Sequence, residues 1–435
     1  MSCTATSQRP AGDSRHARRP TRLLLAALLL AAVGSLARAQ PSGAQVTEPG
    51  DQLRIYLLTI GPGELVWERF GHNAIRVYDA EAGTDIAYNY GLFDFADPGF
   101  FGNFLRGRLL YWMQGFDATA TVDSYRRAGR SITVQELNLT AAQRLELQRF
   151  LRWNERPENR YYRYDYYRDN CSTRVRDAID RALGGQIEAA TALQPSGGTF
   201  RSHTQRLTAD DLPVYTGLQL AMGQPIDRPI SIWEEMFLPL ALRDRIRDLR
   251  IQTDDGRTAP LVRSERTLFE PTIHAPVEQT PDRTLAYTLL GTLLGGVFLA
   301  LAFGGRRRVS QRVALAILGA AWGAVTGILG AIIAVLWLLT DHWPTYTNEN
   351  VLQMNPLALA LAVLLPLAVR DSQHALRSTR TIALTVAALS IIGFALQAFP
   401  GFDQSNGEII GLALPAHLGL TAATMVPRAQ ARRGA

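Results

Sequence analysis

Two side chains of the sequence are of the types that nucleophilic catalysis by a thiol requires. Cys171 follows Asn170, a residue type that favours the position just before a helix. The free amides and the positive end of such a helix stabilise a thiolate and an oxyanion on a bound carbonyl. A thiol nucleophile also needs a base, normally an imidazole, and His72 stands at the start of a predicted strand. The alternative for each residue alone is a buried inert cysteine or a turn histidine.

The remaining histidines of this region are placed less favourably, and a third group should orient the imidazole. His203 lies in a polar loop and His274 in a predicted linker, so His72 is the preferred base. Asn89, on the strand after His72, is our first candidate for the orienting group, and Asp94 is the second. An asparagine there could equally serve only as a turn-former.

Composition excludes several other kinds of site. The sequence has no lysine, which excludes a lysine Schiff base and a P-loop lysine. Its two cysteines, Cys3 and Cys171, exclude a disulfide framework and a cysteine-rich zinc site. Since no histidine pair has ligand spacing either, we expect no metal and no cofactor.

The elements that must position these residues follow a mixed order. Residues 53–60 predict a buried strand, and 74–78 with 86–90 predict an antiparallel pair. Thr140 and Gln143 form a capping box for a helix that continues to about Trp153. A second helix begins near Cys171 and ends at the glycines at 184 and 185. The predicted fold class of this region is α+β.

The amino terminus is typical of a secretory signal peptide. An arginine-rich stretch precedes an apolar run at 23–36, and Ala-Arg-Ala at 37–39 fits cleavage before Gln40. A twin-arginine signal and an uncleaved anchor are the alternatives. Cleavage would remove Cys3 and leave Cys171 as the only thiol of an exported domain, predicted at 40–270.

The last third of the chain predicts an all-α membrane domain at 284–427. Its five apolar segments, each near the length that a bilayer demands, are 285–303, 313–339, 351–369, 382–398 and 409–426. Arginines occupy alternate connections and the carboxyl-terminal tail at 428–435, whereas 340–350 and 399–407 have none. This positive-inside pattern predicts an inner-membrane, multi-pass protein with its amino-terminal domain in the periplasm and its carboxyl terminus in the cytoplasm. The segment 271–283, with three prolines, is the predicted linker.

Four phrases of the exported region, in this order, are similar to those of the Lnb family and its N-terminal periplasmic domain. They are RFGHNAIRV at 69–77, YNYGLFDF at 88–95, DNCSTRVRD at 169–177 and WEEMFLP at 233–239. The similarity continues in the membrane part with DHWPT at 341–345, followed by Asn348, Asn350 and NPL at 355–357.

The resemblance implies a permuted, papain-like thiol fold of the NlpC type, in which histidine precedes cysteine along the chain. It also implies a lipoprotein transacylase activity, which moves an acyl chain onto the amino-terminal amine of a lipoprotein. Carried over by motif, Cys171 is the nucleophile that accepts the acyl chain and His72 is its base. Membrane lipids or lipoproteins are then the expected partners.

Four polar residues in a loop on the predicted periplasmic side of the membrane could contribute to a site for a lipid substrate. Asp341, His342, Asn348 and Asn350 stand in the first outward loop, where they could bind a head group, dock the exported domain or be plainly solvated. An arginine- and tyrosine-rich stretch at 160–168 resembles a nucleic-acid surface, but export argues against nucleic acid. Two other functions stay open: a cell-wall peptidase or amidase of the NlpC type, and a membrane scaffold without catalysis.

Overall fold

The structure is a computed structural model that describes residues 48–253, 256–272, 278–306, 308–369 and 372–427. The predicted signal peptide, His274 and the tail at 428–435 lie outside these residues.

The amino-terminal part is built on an antiparallel sheet of seven strands in the order β11-β5-β1-β2-β3-β4-β6. Two small two-stranded sheets, β7-β8 and β9-β10, accompany it. The strands are β1 Leu53–Ile60, β2 His72–Asp79, β3 Thr84–Leu92, β4 Leu110–Asp117, β5 Ile132–Leu137, β6 Tyr161–Arg163, β7 Pro195–Thr199, β8 Pro229–Ser231, β9 Arg250–Gln252, β10 Thr258–Pro260 and β11 Val262–Phe269. The predicted strand at 53–60 and the predicted antiparallel pair are confirmed, and β2 and β3 extend beyond the predicted ends.

Nine α-helices of this part occupy the described residues between β3 and β11. They are α1 Phe100–Arg106, α2 Ala118–Arg127, α3 Ala141–Asn154, α4 Cys171–Ala182, α5 Gln186–Thr191, α6 Phe200–Thr208, α7 Leu212–Ala221, α8 Ile232–Glu235 and α9 Pro239–Asp248. The predicted capping box of Thr140 and Gln143 is present at α3, and the predicted helix at Cys171 is α4. The α+β class is confirmed.

The core explains why β1 is largely apolar. Ile55 and Leu57 belong to the main core cluster, which also contains the buried side chains of α4. Leu58 and Ile60 join a second cluster with Val134 of β5. Because a strand alternates its side chains, an apolar run buried on both faces marks the middle of a sheet.

Among its described residues, the carboxyl-terminal part holds five segments that are long and apolar enough to cross a membrane, as predicted. Its helices are α10 Thr284–Gly305, α11 Val309–Leu339, α12 Leu359–Val369, α13 Gln373–Leu396 and α14 Gly407–Met425. Helices α10 and α14 touch backbone to backbone, since a Cβ on Gly419 would lie 2.3 Å from the Cα of Gly295. Small residues allow such close packing in lipid.

The third segment differs from the continuous helix predicted at 351–369. It begins with the 3-10 turns Glu349–Leu352 and Pro356–Ala358, and only α12 is α-helical. Pro356 supplies no backbone N–H, and the residue before a proline is restricted to extended backbone. Asn355 accordingly has φ −103° and ψ 130°, which interrupts the helix.

Candidate active site

Asn170 places Cys171 at the start of α4. Its side-chain oxygen accepts hydrogen bonds from the amides of Ser172, at 2.8 Å, and Thr173, at 3.0 Å. Its side-chain nitrogen donates to the carbonyls of Tyr166 and Phe237, each at 3.0 Å. The cap therefore fixes both the first turn of the helix and the direction from which the chain enters it.

His72 is the first residue of β2, and Asn89 reaches it from β3. The Nε2 atom of His72 lies 3.0 Å from Oδ1 of Asn89. The Nδ2 group of Asn89 donates to the carbonyl of Ala87 at 2.9 Å, so its oxygen is the atom that faces the imidazole. This arrangement puts the proton of a neutral imidazole on Nε2 and leaves Nδ1 as its basic nitrogen.

Asn73 connects the histidine strand to the cysteine helix. Its side-chain oxygen lies 2.8 Å from the hydroxyl of Ser172, and both residues are fully buried. The backbone amide of Asn73 donates to the sulfur of Cys171. Asn73 of β2 thus contacts two adjacent residues of α4, and this places its chain neighbour His72 on the side of the sheet where Cys171 begins the helix, 99 positions later in the sequence.

Gly91 lies next to Cys171, and its lack of a side chain leaves space for the thiol. Its φ of +88° lies in the left-handed region, and a Cβ here would lie 3.3 Å from the Cβ of Cys171. The pairing of β3 with β4 shifts between Asn89 and Leu92, at the position of this glycine. A side chain at position 91 would be strained in its backbone and crowded against the cysteine.

The electrostatics of the pair favour neutral groups at rest. Burial raises the pKa of Cys171, while the amides of Asn73, Ser172 and Cys171 itself and the charge of Arg130 act in the opposite direction. Burial lowers the pKa of His72 to about 4. The hydrogen bond with Asn89 acts in the opposite direction, whereas the positive charge of Arg130 lowers this pKa further. At neutral pH the site therefore holds a neutral thiol and a neutral imidazole that is ready to accept a proton.

Arg130 is a functional candidate that sequence reasoning missed. Its side chain is buried, its Nε donates to the carbonyl of Gly61 at 2.9 Å, and its Nη1 lies 3.3 Å from a carboxylate oxygen of Glu68. The guanidinium stacks over Tyr125, whose ring lies 5.9 Å from the ring of His72. Its Nη2 has no hydrogen-bond partner among the described residues. No sequence signal distinguished Arg130 from the many other arginines. Arg130 lies just before β5, and only the fold brings this part of the chain close to β2.

Two tyrosines complete the surroundings of the thiol. Burial, followed by the charge of Cys171, holds the pKa values of Tyr162 and Tyr164 well above the usual value. Both rings therefore stay protonated. The hydroxyl of Tyr162 is buried and, within the part of the chain that the structure describes, makes no hydrogen bond.

Asp94, the second candidate for the orienting group, and His203, the less favoured histidine, make contacts of their own. Asp94 is exposed and accepts a hydrogen bond from the amide of Ala96 at 2.8 Å, as in a local turn. The expectation that His203 lies in a polar loop was wrong, since it is part of helix α6, which Thr199 caps, and its Nε2 lies 3.4 Å from a carboxylate oxygen of Glu235. Of the two candidates for the orienting group, the structure therefore favours Asn89 over Asp94.

Asp341 and His342 connect the outward loop at 340–350 to the amino-terminal part of the chain, which contains the seven-stranded sheet. Asp341 accepts from Arg108 at 3.0 Å and from Arg163 at 3.2 Å, and these hydrogen bonds lower the pKa of its carboxyl. The Nε2 atom of His342 lies 2.8 Å from the carbonyl of Phe104.

Asn348 and Asn350 are fully buried and dock the exported domain. The side-chain nitrogen of Asn348 donates to the carbonyl of Leu220 at 2.8 Å, and the side-chain nitrogen of Asn350 donates to the carbonyl of Gln219 at 2.9 Å. Of the roles predicted for these two residues, the structure favours docking over a head-group site, because their side-chain nitrogens donate to carbonyls at the end of α7.

Two family models match the chain. The model described as the Lnb N-terminal periplasmic domain matches residues 43–207, which include Cys171, His72 and Asn89. The model described as the Lnb transmembrane domain matches residues 288–401. Comparisons with curated proteins and with solved structures returned no significant match.

Proposed function

The chain belongs to the Lnb family as a membrane protein with a periplasmic domain, and on that premise we propose that it is a membrane-anchored thiol acyltransferase. Its substrates are acyl esters of membrane lipids or lipoproteins. The observation that carries the proposal is that Asn73, next to His72 on β2, contacts both Ser172 and Cys171 at a capped helix start, while Asn89 hydrogen-bonds to His72. A nucleophile, a base and an orienting group are the parts that thiol-based acyl transfer requires.

The first half of the reaction forms a thioester. The Nδ1 atom of His72 takes the thiol proton while the sulfur of Cys171 attacks the ester carbonyl. The amides around the sulfur, together with Nη2 of Arg130, donate hydrogen bonds to the resulting oxyanion. When the carbonyl re-forms, the ester C–O bond breaks, and the departing alkoxide takes the proton from His72 and leaves as an alcohol.

The second half returns the enzyme to its starting state. An amine attacks the thioester carbonyl and gives its proton to His72. The C–S bond then breaks, and the thiolate of Cys171 recovers that proton. The products are an amide and the free thiol, and no further reactant is required.

Our proposal extends to fold and orientation. The permuted papain-like arrangement is supported by a strand histidine that precedes a helix cysteine, with α4 packed against β2 and β3. An inner-membrane location with a cytoplasmic carboxyl terminus is supported by the alternation of arginine-rich and arginine-free connections.

Intact-mass spectrometry of the full chain tests the proposed function. The purified protein is incubated with diacyl phospholipid vesicles and a diacylated lipopeptide, beside the variants Cys171→Ser and His72→Ala. We expect a fatty-acyl mass on Cys171 that hydroxylamine removes, and an N-acylated lipopeptide. Both signals should be absent from the two variants.

A folded wild-type protein that forms neither adduct nor N-acylated product would contradict the proposal. Wall peptides in a parallel reaction detect the NlpC-type alternative, since their cleavage would redirect the same Cys171 chemistry to peptide bonds. The circular dichroism of each variant controls for folding.

A further inference from the structure

An exposed apolar surface lies beside the active-site end of the sheet. It combines side chains from the turn before β2, the loop after β3 and helix α1. These side chains, which we call the apolar rim, are between 40% and 67% exposed: Leu65, Trp67, Phe95, Phe101, Phe104 and Leu105. A patch of this kind on a folded domain marks a protein or membrane contact.

The rim is one continuous surface. The ring of Trp67 lies 5.6 Å from that of Phe95, which in turn lies 6.4 Å from the ring of Phe101. The ring of Phe100 lies between, 5.0 Å from Phe95 and 6.3 Å from Phe104. Residues from three separate segments therefore present their apolar faces together.

Hydrogen bonds place the rim at the level of the membrane surface. Helix α11 keeps exposed apolar side chains to its outward end, where Leu338 is 70% and Leu339 is 74% exposed. Two residues later, the amide of Asp341 donates to the carbonyl of Arg106 at 2.8 Å. The contact of His342 with the carbonyl of Phe104 adds a second connection. Helix α1 thus lies beside the outward end of α11, where the exposed apolar side chains of that helix end.

The charge beside the rim suits a phospholipid surface. Arg106 is exposed, and the side chains of Arg108 and Arg163 are 60% and 67% exposed around the carboxylate of Asp341. Apolar side chains flanked by cations are typical of segments that lie in the bilayer interface.

A row of aromatic rings leads from the rim to the thiol. Phe93 lies 4.9 Å from Phe95 and 5.0 Å from Tyr111, measured between ring centroids. Tyr111 stacks on Tyr164 at 4.4 Å. Tyr164 and Cys171 flank Gly91, because a Cβ on this glycine would lie 3.9 Å from Cε2 of Tyr164 and 3.3 Å from the Cβ of Cys171. The row therefore runs from the apolar rim to the surroundings of the thiol.

We propose that the apolar rim enters the outer bilayer interface and that the acyl chain of the substrate reaches Cys171 along this aromatic row. The bilayer contact stands on the geometry alone, whereas the acyl path rests on the proposed function. The occupant is thus a phospholipid surface rather than a second protein.

Fluorescence quenching by brominated phospholipids tests the bilayer contact. The full chain, with Cys3→Ser and Cys171→Ser, is placed in nanodiscs and labelled at Phe101→Cys. Tyr78→Cys is the matched control, because Tyr78 is 37% exposed near the opposite end of β2 from His72. Leu338→Cys is the positive control within a span. We expect quenching at positions 101 and 338 and none at 78; a quenched label at 338 with an unquenched label at 101 would overturn the contact.

A charged rim tests the acyl path. The double variant Phe101→Glu and Leu105→Glu should lower adduct formation from bilayer lipid by at least about tenfold, since charges oppose entry into the interface. Tyr78→Glu should leave it unchanged, and alkylation of Cys171 by iodoacetamide should remain normal in both. Undiminished adduct formation in the double variant would overturn the path. If the wild type forms no adduct, the proposed function fails and the acyl path fails with it, while the quenching result still decides the contact.

Discussion

At Cys171, burial and hydrogen-bond donors act in opposite directions. Burial raises the pKa of the thiol, whereas three backbone amides and Arg130 favour the thiolate. The same donors become more effective when charge moves from sulfur to a bound carbonyl oxygen, because they are already in place in a poorly hydrated site. The site thus favours attack assisted by a base over a stored thiolate.

The rate of acylation should keep its value well below neutral pH. Because the pKa of His72 is lowered to about 4, the imidazole stays unprotonated until the pH approaches that value. We expect adduct formation to fall only below about pH 5, by roughly tenfold per unit once the pH is below the pKa. The measurement is the single-turnover rate of adduct formation against pH.

The folded state needs its own control in this measurement. Since the pKa of His72 is lower in the folded protein than in the unfolded chain, the unfolded chain takes up the proton first as the pH falls. The stability contributed by the neutral imidazole is therefore present above about pH 6.5 and lost towards pH 4. Circular dichroism at each pH separates unfolding from loss of the base. A rate midpoint near 6.5 in folded protein would contradict the lowered pKa of His72, because an imidazole of ordinary pKa titrates there.

Removing the charge of Arg130 should make the thiol harder to ionise. We expect Arg130→Gln to raise the pKa of Cys171 and to slow adduct formation by about a hundredfold, as for loss of an oxyanion donor. Arg130→Lys keeps the charge and should retain more of the activity. The pH profile of iodoacetamide alkylation reports the thiol pKa.

Arg126→Gln is the matched control for this series, because Arg126 carries the same charge on the surface, 3.1 Å from Asp123. An alkylation profile and a rate of adduct formation that both stay unchanged in Arg130→Gln would limit Arg130 to a structural role beside Glu68.

At the scale of elements, the site depends on how β2, β3 and α4 meet. The cap at Asn170 and the strand at 53–60 were predictable, since each depends on residues close together in sequence. The contact of Asn73 with Ser172 was not, because it depends on how the helix packs on the sheet. The candidate pair was therefore identified from residue types, but its geometry needed the fold.

Gly91→Ala should disturb the site more than a comparable glycine substitution elsewhere. Backbone strain of about 1–3 kcal/mol is expected at a positive φ, and the new methyl group would also press on Cys171. Gly83→Ala is the matched control, because Gly83 has φ +64° and open space around its Cβ position. Thermal unfolding should shift in both variants, whereas slower alkylation of Cys171 is expected only for Gly91→Ala; equal alkylation in the two would contradict the contact.

At the scale of the whole molecule, the two parts are joined by buried polar side chains. Asn348 and Asn350 satisfy carbonyls at the end of α7, and the hydroxyl of Tyr215 donates to Glu408 at 2.7 Å. Buried polar groups are costly to leave without partners, so this joint resists separation. A fixed joint keeps the amino-terminal part in one position relative to the loop that carries Asn348 and Asn350.

Asn348→Ala should loosen this joint without altering the thiol. The carbonyls of Leu220 and Ala221 would lose a donor, at a cost of about 1–3 kcal/mol. Hydrogen exchange of the segment around 219–223 should become faster, while alkylation of Cys171 stays the same. Asn159→Ala is the matched control, since Asn159 donates to the carbonyl of Trp153 within the sheet domain, at 3.0 Å. Unchanged exchange in Asn348→Ala would show that the joint does not depend on this side chain.

The α+β class, the five membrane segments and the candidate pair of one histidine and one cysteine could all be predicted from the amino-acid sequence. Hydropathy, capping residues and strand alternation are local, so they can be recognised without the fold. Only the folded chain revealed that Arg130 lies beside the thiol, that Asn350 binds a carbonyl 131 positions away and that Arg108 meets Asp341 across 233 positions. Such contacts depend on how segments that are distant in sequence pack against each other, and local sequence patterns do not encode the distances between those segments.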